Sequence, residues 1–387
     1  MRPLLRTLLT LGLILPALRP AAAQPKAPAF GDAARENPAA PEPVHDPLSV
    51  SWKKAWFVHR FSPAEAKWTS HESPRSPLPV KALAAVGPRS VAVVDPDDQF
   101  GGRLFDVRGG RWMEIPPSPV DGPGLSGDAI TCTFVGDDRL VVWGRTGHVQ
   151  GAVLDTKAMK WSPMAAAPIV PRYRCAVASA GGKLFVWGGY GPLGPGRIGP
   201  LEDGAVYDVG TNTWEKMPGP PVPGHRYGVS ACVWNDRFVL FGVLRRGAPG
   251  VGVRPLGMIF DPATRTWEKT TECPFDVGVH SAAAVAGDRL FVWSGAVHSA
   301  GRESPDAAAY DLRTKKWQKL PDAPIPPRYL ASARAHGSRV TVWGGWTSDR
   351  ERMSSLRDGA TYDFDTGAWE KIPPLPAGIP YELHPGW

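Results

Sequence analysis

An aspartate followed six residues later by a tryptophan occurs six times in this chain, at Asp106/Trp112, Asp155/Trp161, Asp208/Trp214, Asp261/Trp267, Asp311/Trp317 and Asp363/Trp369. Successive copies lie 49 to 53 residues apart, and with 16 Trp in 387 residues such regular pairing is not chance. A period of this length marks a supersecondary unit that cannot bury its own apolar face and must stack on copies of itself. Each Asp follows a large apolar residue (Phe105, Leu154, Tyr207, Phe260, Tyr310, Tyr362), and in four copies a Thr stands three after it (Thr211, Thr264, Thr314, Thr366). That is the chemistry of a turn whose carboxylate accepts local hydrogen bonds, so the pair reads as a hairpin.

Upstream of each later pair an apolar run closes in Gly, at 140–144, 184–189, 238–242, 290–295 and 340–345. Dense β-branched and aromatic residues make these buried strands. About ten residues earlier comes a run of small apolar residues, such as 176–180 or 331–335, so each period supplies four strands, a to d. Composition agrees. Gly and Pro number 43 each and leave little uninterrupted helix, while 43% hydrophobic residues are too many for a disordered chain. The fold class expected is all-β.

Units of about 50 residues with Gly-Gly after strand b, Tyr-Asp closing strand c and Trp in strand d resemble the kelch repeat, whose sheets stack radially into a β-propeller. The resemblance covers roughly residues 48 to 385; the full Gly-Gly stands only at Gly188-Gly189 and Gly344-Gly345, and Asp95-Pro96 occupies that place in the first unit. Complete units number six. A Trp-rich segment ahead of them supplies b, c and d, with Trp56 to Phe61 as c and Trp68 in d, and residues 380–384 align with a strand a. Seven four-stranded blades, one split between the chain ends, is therefore the leading expectation, with six blades as the alternative.

Residues 1–23 read as a secretory signal: Arg2 and Arg6 form the charged region, 8–18 the apolar region, and Ala21-Ala22-Ala23 the cleavage site before Gln24. Residues 24–47, rich in Ala and Pro, read as a linker, leaving 48–387 as a single propeller domain outside the cytoplasm. Removing Arg2, Arg6 and Arg19 leaves 41 basic against 37 acidic residues, a net of +4 with no basic run. Nucleic acid is thus not an expected partner. Cys132, Cys175, Cys232 and Cys273 have no metal-type spacing and read as isolated thiols.

In a propeller the b–c and d–a connections emerge on one face, and here those are the long ones, which makes that face the candidate site. An Arg-Tyr pair recurs just before strand a at Arg172-Tyr173, Arg226-Tyr227 and Arg328-Tyr329. Guanidinium forks at a channel mouth could converge on a carboxylate or phosphate, with the tyrosine rings stacking on a sugar. The alternative is that each Arg ties a loop carboxylate or carbonyl and each Tyr packs between blades. His280 and Trp346 complete the candidate ligand-binding set, and His225 and His298 lie on the same side. Gly194-x-Gly196-x-x-Gly199 matches a dinucleotide fingerprint in letters, yet it is followed by a strand and reads as a loop.

No metal or cofactor is expected; kelch-type galactose oxidases carry copper, but their site has no counterpart that can be placed here. The leading expectation is a monomeric, non-catalytic exported propeller that binds a protein or glycan ligand, an anionic one included, through its long-loop face. The alternative function is a periplasmic mutarotase or epimerase acting on an acidic, sialic-acid-like sugar.

Overall fold

Strands form here because of where the apolar residues fall. The second strand of each repeat is an unbroken apolar run, as in Lys183–Trp187 and Arg289–Trp293, where every residue after the first is buried. A run of that kind needs a covered face on both sides. The last strand instead sets one half-buried Trp among exposed residues, as in Thr213–Lys216 and Thr266–Lys269, and suits an outer edge. The computed structural model describes residues 48–52, 56–62, 67–74, 83–87, 89–95, 99–119, 130–144, 151–194, 197–221, 229–244, 255–278, 280–297, 302–349 and 352–375. Among them no helix is long and apolar enough to cross a membrane.

The described chain opens with β1 (Leu48–Trp52), β2 (Trp56–Ser62) and β3 (Lys67–Glu72), a three-stranded antiparallel sheet. Six four-stranded sheets follow. Blade 1 is β4 (Leu83–Val86), β5 (Ser90–Val94), β6 (Gly102–Asp106) and β7 (Arg111–Ile115); blade 2 is β8 (Ile130–Val135), β9 (Arg139–Gly144), β10 (Gly151–Asp155) and β11 (Lys160–Pro163). Blade 3 is β12 (Ala176–Ala180) and β13 (Lys183–Trp187), then a hairpin of β14 (Tyr190–Gly194) and β15 (Arg197–Pro200) inserted before β16 (Gly204–Asp208) and β17 (Thr213–Lys216). Blade 4 is β18 (Ser230–Trp234), β19 (Arg237–Leu244), β20 (Pro255–Asp261) and β21 (Thr266–Lys269). Blade 5 is β22 (Ala282–Ala286) and β23 (Arg289–Trp293), an inserted pair β24 (Ala296–Val297) and β25 (Arg302–Glu303), then β26 (Ala307–Asp311) and β27 (Lys316–Leu320). Blade 6 is β28 (Ser332–His336) and β29 (Arg339–Trp343), an inserted hairpin β30 (Trp346–Asp349) and β31 (Arg352–Ser355), then β32 (Gly359–Asp363) and β33 (Ala368–Ile372).

The inner strands β4, β8, β12, β18, β22 and β28 touch in that order, which is the radial stacking of a propeller. Apolar cores lie between the sheets. Val141 and Trp143 of blade 2 pack on Leu184, Val186 and Tyr207 of blade 3, and Ala284 and Phe291 of blade 5 pack on Val340, Val342 and Tyr362 of blade 6. The three-stranded sheet fills the sector between the last and first blades: Val58 packs on Val91 and Phe105 of blade 1, and Trp68 packs on Trp343, Ile372 and Leu375 of blade 6 and the segment after it. The expected seven four-stranded blades are therefore corrected to six. The N-terminal segment forms the anticipated b, c and d strands, but no fourth strand pairs with β1 among the described residues, and 380–384 lie outside them.

Outer-strand tryptophans fasten the ring. In each of five blades the indole Nε1 donates to a carbonyl just past the last strand of the preceding blade: Trp161 to Pro116, Trp214 to Ala165, Trp267 to Pro218, Trp317 to Thr271 and Trp369 to Pro321, at 2.7 to 3.1 Å. Trp68 makes the sixth such bond, to Pro373 O at 3.1 Å, and so joins the N-terminal sheet to blade 6. This role of the repeated Trp was not anticipated from the sequence, where it marked only the start of a strand.

The repeated Asp residues are turn formers, as expected. In the tight turns Oδ1 of Asp155, Asp208, Asp261 and Asp311 accepts the amides two and three residues on. Arg139 and Arg237 pair with the same carboxylates at 2.7 and 2.8 Å across the sheet. All four carboxyls are held below the ordinary value of 3.8: Asp155 chiefly by the Ala158 amide, Asp208 by Lys183, Asp311 by the Thr314 amide, and Asp261 by Arg237 and the Ala263 and Thr264 amides against an opposing burial effect. A lowered native pKa contributes stability that is complete above 3.8 and is lost as pH falls below it through the native value. The melting temperature should therefore drop between about pH 4 and pH 2, and the D155N/D208N/D261N/D311N variant should show a visibly shallower drop in the same scan. Parallel curves for the two proteins would exclude these turns as the acid-labile element.

Candidate ligand-binding face

Inserted hairpins β14–β15, β24–β25 and β30–β31 all extend b–c connections, so they rise on the face where the d–a connections also end. The expected arginines are found under this face, inside the wall. Arg172 donates from Nε to Val170 O at 3.1 Å and from Nη1 to Gly188 O at 3.1 Å and Asp203 O at 2.9 Å, and its Nη2 lies 2.8 Å from Asp203 Oδ1. Arg328 repeats this pattern with Pro326 O at 3.0 Å, Gly344 O at 3.0 Å, Asp358 O at 3.3 Å and Asp358 Oδ1 at 2.8 Å, and sits 5.6 Å from the Trp293 ring centre. Both side chains have 0% exposure. A rim patch of cations open to a ligand is therefore corrected, for these two, to a pair of internal ties joining the start of strand a, the end of strand b and the start of strand c. Each tie meets the first carbonyl of its Gly-Gly turn, while the second accepts a backbone amide from the returning chain.

The neighbouring aromatics hold the hairpins down. Tyr173 and Tyr190 exchange two backbone hydrogen bonds at 2.9 and 2.8 Å, and their rings stack with centres 5.9 Å apart. Tyr329, which is buried, and the half-buried Trp346 make the same backbone pair. Gly189, at φ +82°, allows this: a Cβ there would stand 2.5 Å from Tyr173 O. His280, half-buried at φ +55°, accepts the Leu330 amide at its carbonyl and so links blade 5 to blade 6. Arg226, Tyr227, His225 and His298 lie outside the described residues. The Gly194/Gly199 segment is the β14–β15 hairpin rather than an irregular loop, with a register shift between Pro192 and Gly194.

Sequence reasoning missed the apolar tip. Val170, Leu193 and Ile198 are large apolar side chains left 39%, 48% and 61% exposed. Leu193 lies over Gly199 of the paired strand, Ile198 sits opposite Pro192, and Val170 stands in the segment that leads into strand a of the same blade. Two of them could have been read from Leu193 and Ile198 standing in a hairpin too short to be covered.

Reactive chemistry is sparse on the described surface. No group of three or more His, Cys, Asp or Glu could hold a metal among the described residues. None of the four cysteines forms a disulfide, and burial pushes the Cys132 and Cys232 thiols up to about 12, where they are poor nucleophiles.

Comparison with known proteins adds the family. Residues 129–274 match the model of the KLHDC2/KLHL20/DRC7 Kelch-repeats domain. An Arabidopsis thaliana F-box/kelch-repeat protein is 28% identical over 180 residues, 43% of this chain and 46% of that relative. An N-acetylneuraminate epimerase of Pasteurella multocida is 24% identical over 235 residues, 53% of this chain and 60% of that one. The chain thus spans about half the length of the curated relatives it matches. The solved structure of YjhT shares the fold, with a TM-score of 0.53 and 22% identity over 69% of this chain and 88% of that one. With the matched repeats continued by the same strands, Asp turns and Trp clasps around the ring, this chain is a kelch-repeat β-propeller.

Proposed function

We propose that this propeller is an exported, non-catalytic binding protein that takes a protein partner through the blade 3 sector of its long-loop face. The observation that carries this reading is the exposure of Val170, Leu193 and Ile198, large apolar side chains of blade 3, two of them on a hairpin pinned from below by Arg172 and the Tyr173–Tyr190 pair. Exposed apolar groups on a rigid support are what a protein interface desolvates. Export rests on the charged, apolar and small-residue order of residues 1–23.

The test uses protein recovered outside the cytoplasm, whose first residue is expected to be Gln24, as bait for cross-linking in the extracytoplasmic fraction. A partner captured by wild type should be lost, at least about tenfold in affinity, with L193S/I198S, while the melting temperature stays within about 1 °C because neither side chain is in a core. Undiminished capture by the variant would remove this face from the function.

Similarity to an N-acetylneuraminate epimerase favours a second reading, a mutarotase or epimerase of an acidic sugar. Arg172 and Arg328 cannot serve it, because both side chains are wholly buried inside the wall. Anomer exchange of N-acetylneuraminate, followed by NMR with and without the protein, separates the readings.

A further inference from the structure

Strand a of each blade presents one face to the next sheet around the ring, and its middle residue is small in five blades: Ala85, Thr133, Ala178, Cys232 and Ala284. In blade 6 the equivalent residue is Arg334, opposite Thr341 of strand b and Thr361 of strand c. The same face carries Trp343 and Ile372, which pack on Trp68, so it looks onto the N-terminal sheet. In blade 5, by contrast, this row is Ala284, Phe291 and Ala309. In blade 6 it is polar throughout.

Thr341 and Thr361 are 4% and 8% exposed, and their hydroxyls lie 2.9 Å apart. One proton occupies that bond, which leaves the pair a second O–H to donate. Arg334 is exposed, yet protein surrounds it closely enough that burial pulls its pKa below the ordinary guanidinium value; among the described residues no carboxylate or carbonyl accepts from it. A side chain open to solvent and crowded by protein is what the wall of a channel provides. The row shares its sheet face with Trp343, whose ring centre is 5.0 Å from that of Trp68, and Arg334 stands on the inner strand of the blade.

We propose that the seam between blade 6 and the N-terminal sheet is a binding site for a small oxyanion, a carboxylate or phosphate group, held by the Arg334 guanidinium beside the Thr341–Thr361 hydroxyl pair. A fork of N–H donors with an adjoining O–H matches two oxygens of such a group, and partial removal from water strengthens each bond. The site is separate from the blade 3 edge and stands whether or not a protein binds there.

The test titrates the mature chain with inorganic phosphate and with acetate at constant ionic strength, reading the melting temperature and, separately, the rate at which phenylglyoxal modifies Arg334 by mass spectrometry. Saturable stabilisation and protection of Arg334 are expected; phosphate acting alone identifies a phosphate site, and acetate acting alone or equally well a carboxylate site. R334Q should fold and bind at least about tenfold more weakly, and T341V/T361V should retain binding at reduced affinity. Equal, unsaturable effects on wild type and R334Q, or modification of Arg334 at the same rate with and without either anion, would overturn the proposal.

Discussion

Arg328→Ala should lower the stability of the ring by about 3 to 5 kcal/mol, the usual cost of removing one member of a buried ion pair. The guanidinium is wholly buried and satisfies Pro326 O, Gly344 O and both an oxygen and the carbonyl of Asp358. Truncation leaves a largely buried carboxylate and two carbonyls without their donor, and each such group carries its own desolvation cost. Arg172→Ala should cost less, because Asp203 is 33% exposed against 19% for Asp358 and can be hydrated in the variant. Lysine is no substitute at either position, since a single ammonium cannot reproduce the fork that reaches strands b and c together. Urea midpoints give the order wild type, R172A, R328A. A loss below about 1 kcal/mol for R328A, within the range of an exposed ion pair, would show that the tie is dispensable.

These arginines show what the sequence could and could not convey. Both the rim reading and the tie reading were open when Arg172 and Arg328 were known only as members of a recurrent Arg-Tyr pair. What separated them was already present in the spacing: each Arg stands 16 residues before a Gly-Gly, which is followed 15 or 14 residues on by Asp203 or Asp358, and only these two repeats keep the full Gly-Gly. Arg, glycines and Asp travel together because they form one closed knot. Blade 5 has Gly278 in place of the Arg, and there Asp306 turns instead to the Asp276 amide and Lys319.

Strand order was legible because every blade must meet the same two constraints, an Asp turn on the outside and a covered apolar strand within. The number of four-stranded sheets was not, since the residues of β1 to β3 satisfy the pattern for three strands and a fourth is a matter of pairing, which apolar periodicity does not encode. Nor was the row of Arg334, Thr341 and Thr361. Its members lie on three strands and become neighbours only through register. A ligand makes no periodic demand on the chain, so nothing in the repeat announces which rows are open to one.

Ring closure carries the remaining large effect. Trp68→Ala should cost about 3 to 5 kcal/mol, as removal of a buried Trp does, and should also divide the unfolding transition. Trp68 is 9% exposed; it contacts Trp343, Ile372 and Leu375, and donates to Pro373, 305 residues along the chain. Trp214 is the natural comparison, with the same clasp to Ala165 and ring contacts to Trp143 and Tyr207, but between blades that follow one another in sequence. Losing Trp214 loosens two sheets that the chain still holds side by side. Without Trp68 the junction loses its indole clasp at a point where the linking chain is the whole ring, so nothing offsets the entropy of closing so long a loop. The N-terminal sheet should then release first, with protease cleavage between β3 and β4 rising many-fold before the blades unfold, and the urea transition should broaden. Trp68→Phe keeps most of the packing and removes the N–H, and should cost only about 1 kcal/mol. If W68A and W214A unfold with the same midpoint, the same steepness and the same protease resistance, the indole of Trp68 is one clasp among six and the ring is closed by other means.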